Sequence, residues 1–72
     1  MEEYQKKLVE ELKELKDRKT KLFDALIKKG FREKVGERQY ALMQWQYSAM
    51  CAYYDALNQR LFDMEIYDIS DK

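Results

Sequence analysis

The sequence predicts an all-α protein: an antiparallel two-helix hairpin that assembles with copies of itself into a homo-oligomeric helical bundle. Three observations predict it. Apolar residues recur at helical spacing on both sides of a single break. That break, "GFREKVG" at 30–36, is bracketed by the only two glycines in a chain without proline. The second helix carries more apolar surface than one partner helix covers. The whole chain, 1–72, reads as one domain.

In the first helix, placed at about residues 3–29, Leu8, Leu12, Leu15, Leu22 and Leu26 follow alternating steps of four and three. Tyr4 leads into the stripe; Val9, Phe23 and Ile27 widen it. The one vacant slot in the stripe is Lys19, a position where a lysine sets register or oligomer state at a cost in stability, or reaches a ligand phosphate. Glu3–Lys7, Glu14–Arg18, Asp17–Lys21 and Asp24–Lys28 are acid-before-base pairs four apart, each contributing a few tenths of a kcal/mol. Lys28 and Lys29 complement the negative end of the helix, and Gly30 suits a left-handed C′ position.

The turn spans 30–36, and its length makes the flanking helices antiparallel neighbours. The second helix, placed at about 37–67, has an unbroken ladder of Met43, Tyr47, Met50, Tyr54, Leu57, Leu61 and Met64 that packs on the first. The acidic end, "YDISDK", reads as frayed.

Beyond that ladder, the apolar groups between 41 and 57 cover roughly 220° of the helix circumference, whereas a surface helix usually buries a stripe of about 100°. Trp45, Ala49, Ala52 and Ala56 therefore ask for another subunit, and the alanines let a second backbone approach closely. Gln46, Tyr53 and Arg60, seven residues apart, form one line along this arc; Tyr40, Tyr47 and Tyr54 form a second. An amide, a phenol and a guanidinium among Ala and Met suit a flat, anionic, hydrogen-bonding ligand, since aromatic rings stack on bases and arginine forks onto phosphate. The same groups also serve as interface hydrogen-bonders or rim residues.

Composition excludes several other classes. There is no histidine, so catalytic triads built on it are missing. There is also no phosphate-binding glycine loop. One cysteine, Cys51, makes neither an intrachain disulfide nor a zinc set, so no enzyme activity, metal or cofactor is expected. Basic and acidic side chains balance at 14 each, but unevenly: residues 1–36 hold eleven basic against eight acidic, and residues 37–72 three against six. Residues 16–34 concentrate the excess, eight basic against three acidic, which suits an anion or a solvated surface. The most aromatic segment is not basic, so duplex DNA is not an expected partner. No run approaches the ~20 apolar residues of a membrane span, and no early apolar run marks a leader, which implies a soluble cytoplasmic protein and no membrane partner.

"VEELKELKDRKTKL" at 9–22 and "LMQWQYSAMCAYYDALNQRL" at 42–61 resemble a group of short helical-hairpin proteins of tailed phages, including crAss-like phages. Glu10, Glu11, Glu14, Leu15, Arg18, Lys21 and Leu22 match in the first helix; Leu42, Gln46, Ala49, Met50, Tyr53, Leu57, Arg60 and Leu61 match in the second. This chain departs from that pattern in the bulk of Trp45 and Tyr47, in Cys51–Ala52 where a charged pair stands, and in its glycine-bounded turn. The resemblance implies an oligomeric sponge that holds a nucleotide signal of CBASS or Thoeris immunity without cleaving it, in the host cytoplasm during infection. It implies ligand-binding roles for Arg18, Lys19, Gln46, Tyr53 and Arg60. The second reading is a helical protein–protein interaction module that inhibits or scaffolds a host or phage protein.

Overall fold

The computed structural model describes residues 2–65. Three helices follow in order: α1 (Glu3–Leu26), α2 (Phe31–Val35) and α3 (Glu37–Asp63), with no strand among the described residues. α1 and α3 lie antiparallel. Gln5 Nε2 meets Met64 Sδ at 3.8 Å at one end, and the Tyr40 hydroxyl donates to the Leu26 carbonyl at 2.6 Å at the other. Between them, Phe23 and Tyr47 pack with ring centroids 5.5 Å apart.

The apolar core occupies the half of the hairpin distant from the turn. Leu8, Leu12 and Leu15 of α1 pack with Leu57 and Leu61 of α3, and Val9, Met50, Tyr54 and Met64 close around them. The leucine stripe and the four-three ladder are thus the two faces in contact, as a 3.6-residue period requires. Leu26 is the buried residue at the turn end of α1. From Lys19 to the turn, the Phe23–Tyr47 ring contact and the Tyr40 hydrogen bond to Leu26 join these apolar residues in the seam.

α1 closes at Leu26, three residues before the end expected from the lysines that follow. The Leu26 carbonyl, which a continuing helix would pair with the Gly30 N–H, accepts from Tyr40 instead. The Lys28 N–H turns back to the Ala25 carbonyl at 3.2 Å, the tighter pattern of a fraying last turn. Lys28 and Lys29 therefore lie past the helix, and Asp24–Lys28 loses its helical spacing. Of the four acid–base pairs expected on α1, Asp17–Lys21 is within ion-pair distance, at 3.0 Å.

The turn is not irregular throughout: Phe31–Val35 form one short helix between the glycines. Gly30 is left-handed (φ 85°, ψ −9°), but as the residue opening α2 and not as the C′ residue of α1. Gly36 (φ 91°, ψ 156°) ends α2 and begins α3. Its conformation belongs to a region essentially restricted to glycine. The Gly36 N–H bonds the Arg32 carbonyl at 2.9 Å and its carbonyl accepts from the Tyr40 N–H at 2.9 Å, so one residue joins both helices. α3 ends at Asp63, where a fade near Tyr67 was expected. Glu65 adopts a left-handed φ of 58°, which an α-helix of L-residues does not continue through. Tyr67 and the "YDISDK" end lie outside the described residues.

Candidate functional site

Helix geometry places Gln46, Tyr53 and Arg60 on one line of α3, each about 10 Å from the next at 1.5 Å per residue. All three side chains are exposed. Trp45, Ala49, Ala52 and Ala56, the residues assigned to an oligomer interface, are exposed as well. Trp45 is 71% and Tyr53 43% accessible, large values for aromatic rings on a helix whose other face is packed. α3 therefore presents two surfaces. One is the ladder packed against α1, and the other combines aromatic, alanine and polar groups that are exposed among the described residues. Arg60 lies in the last turn of α3, where a cation is favoured by the helix dipole.

Arg18 and Lys19, the α1 contributors to the expected site, are placed differently from each other. Arg18 is exposed. Lys19 is half-buried in the seam, with its Nζ 5.6 Å from the Tyr47 ring centroid and 5.1 Å from that of Tyr54. Both distances fall within cation–π range. Within one chain Lys19 is thus engaged by two tyrosines of the ladder, while Gln46, Tyr53 and Arg60 lie on solvent-exposed α3 surface. The Tyr40–Tyr47–Tyr54 line belongs to the hairpin itself: Tyr40 holds the end of α1, and the other two rings lie within cation–π range of the lysine.

The tip contains a polar constellation that sequence reasoning did not single out. Arg32 and Glu37 form a forked ion pair through Nε–Oε1 and Nη2–Oε2, the latter at 2.9 Å. The Arg32 guanidinium also lies 5.5 Å from the Tyr40 ring centroid, and Phe31 packs against that ring at 6.4 Å. The fork holds the Glu37 carboxyl below its ordinary range and the Arg32 charge still more firmly in place. The available signal was an arginine and a glutamate flanking Gly36, five residues apart. Helical spacing rules do not pair such residues, because the chain reverses between them. Arg32, Glu33, Gly36 and Glu37 line an open cavity of about 430 Å³.

No helix among the described residues is long and apolar enough to cross a membrane. Among the described residues, no cluster of three or more metal-ligating side chains occurs. Cys51 is a free thiol, half-buried in α3.

These features define a class: a small all-helical hairpin whose second long helix carries an uncovered aromatic and polar face. A family model described as Sequestin matches residues 2–63, which include all three helices. The chain belongs to the Sequestin family. Neither the curated proteins nor the solved structures hold a match to it.

Proposed function

We propose that this protein is a non-enzymatic, phage-encoded anti-defence protein that sequesters a nucleotide immune signal in pockets between copies of the hairpin. The ligand is a cyclic oligonucleotide or an ADP-ribose derivative of the kind made in CBASS or Thoeris immunity, and the site of action is the host cytoplasm. The observation that carries the reading is the exposed Gln46–Tyr53–Arg60 line beside Trp45 and the alanines of α3. A phenol and an indole offer faces for bases, and a guanidinium offers a fork for phosphate. The alanines allow a second α3 to approach closely enough to wall the ligand in. The name of the family, Sequestin, supports sequestration as the activity. Sequestration needs affinity and burial of the ligand, and no catalytic group.

Arg18 joins the pocket from the exposed side of α1 of a neighbouring copy. Lys19 contributes from the seam, where its ammonium is within cation–π range of two tyrosine rings. Calorimetric titration of the purified chain with a panel of cyclic oligonucleotides and ADP-ribose derivatives tests the proposal. One member of the panel binds, is recovered chemically unaltered after denaturation of the complex, and loses at least tenfold in affinity in Tyr53→Ala and in Arg60→Ala. Absence of binding across the panel refutes the reading. A chain that is monomeric when free and orders only on a protein partner supports the interaction module instead.

A further inference from the structure

The tip of the hairpin carries an electrostatic feature separate from the α3 line. Lys28, Lys29 and Lys34, with Gly30 and Phe31, line a hollow of about 160 Å³. Among the described residues the ion pairs are Asp17–Lys21 and Arg32–Glu37, so none of these three lysines has a carboxylate at ion-pair distance. The neighbouring arginine is different: Arg32 is neutralised by Glu37, and that pair lines the separate, larger cavity. The tip thus divides into a cavity lined by the Arg32–Glu37 pair and Glu33, and a smaller hollow lined by three lysines with no ion-pair partner among the described residues. Three lysines lining one hollow bring like charges close together, and an anion bound there offsets their repulsion.

The backbone that carries the lysines is hydrogen-bonded on both sides of Gly30. Lys28 N–H bonds Ala25 O at 3.2 Å, Phe31 N–H bonds Lys28 O at 3.1 Å, and Lys34 N–H bonds Gly30 O at 3.1 Å. Phe31 is held in turn by the Tyr40 ring, which gives the hollow a firm apolar wall. A Cβ added at Gly30 would meet nothing within 4 Å, so the space beside the glycine is open. The hollow is well below the roughly 300 Å³ at which pockets for whole drug-sized ligands begin. It suits a phosphate or diphosphate group, for which lysine ammonium groups act as point-charge ligands.

We propose that Lys28, Lys29 and Lys34 form a distinct anion site at the hairpin tip that takes a phosphate or diphosphate group. It shares no residue with the Gln46–Tyr53–Arg60 line and does not depend on that line binding a nucleotide. The group is either a free inorganic anion or the phosphate portion of a larger molecule. Titration of the full ¹⁵N-labelled chain with inorganic diphosphate, followed through the amides of Gly30, Phe31 and Lys34, tests the site. Saturable shifts at these amides are expected, weakening as salt is raised. The triple substitution Lys28→Gln, Lys29→Gln, Lys34→Gln weakens binding at least tenfold, while Lys6→Gln with Lys7→Gln, at the opposite end of α1, leaves it unchanged. All five lysines are exposed, so both variants keep the helical circular dichroism of the parent. A parallel titration with ADP-ribose identifies the source of the group. Tip shifts stronger than those of diphosphate mark a nucleotide-borne phosphate, and shifts with diphosphate alone mark a free anion. Absence of saturable shifts, equal affinity in the triple variant, or loss of the shifts in Arg60→Ala would each overturn the proposal.

Discussion

Glu37 carries a pH dependence that follows from its fork with Arg32. Its folded-state pKa lies below the ordinary value of 4.5, first because it accepts hydrogen bonds from the guanidinium and then because of the guanidinium charge. A carboxylate shifted downward contributes stability that is fully present above its unfolded pKa and is lost as pH falls through the folded one. The tip should therefore loosen only on acidification below the usual glutamate range. Carboxyl chemical shifts recorded against pH give Glu37 a midpoint below the ordinary glutamate value, and Arg32→Gln raises it. A Glu37 midpoint unchanged by Arg32→Gln would mean that the fork does not persist in solution. Lys19, read from the sequence as a register-setting or phosphate-reaching lysine, sits beside two tyrosine rings of its own chain. The gap it makes in the leucine stripe was visible at once, but its partners were not. Tyr47 and Tyr54 are seven residues apart, and only the pairing of two helices brings both rings to one ammonium.

At the scale of the element, the long helices were legible because two independent signals agree in each: a four-three apolar period and the absence of proline and internal glycine. Their ends were less so. The close of α1 is decided by the Tyr40 hydroxyl, a contact between residues fourteen positions apart that local propensity does not encode. The short α2 was hidden between glycines that both read as breakers. Gly36 is the joint of this arrangement. Gly36→Ala forces a side chain into positive φ with extended ψ, at a cost of about 1–3 kcal/mol. For a domain of this size each kcal/mol lowers Tm by roughly 4–8 °C, so thermal denaturation followed by circular dichroism reads the effect directly. No steric clash contributes, because a Cβ at Gly36 meets nothing within 4 Å. A Tm unchanged in Gly36→Ala would show that the backbone relaxes to another turn.

For the whole molecule, the surplus apolar arc of α3 was countable from the sequence, whereas its separation from the packed ladder needed the structure. Ala52 lies in the exposed arc and makes no core contact. Ala52→Glu therefore leaves the hairpin helical while placing a charge where a second α3 must approach. Native mass spectrometry should find the parent as an oligomer and the variant as a monomer, with Trp45 emission moving to longer wavelength. An unchanged mass would assign the oligomer contact to another surface. The position of the core has a kinetic consequence. Leu8 and Leu12 meet Leu57 and Leu61 across nearly the full described chain, while the turn end is tied by single polar and aromatic contacts. A helical hairpin commonly gains its first contacts near the turn, where loop closure is cheapest. Here the strongest contacts must close a loop of about fifty residues, which costs on the order of 2 kcal/mol more than closing the turn itself. That delay sets a slower folding rate than an ordinary helix pair of this length, because the contacts that reward docking are the most distant ones. It also gives the protein an order of assembly, with the local contacts of the lysine-bearing tip within reach first and the Leu8, Leu12, Leu57 and Leu61 cluster docked last.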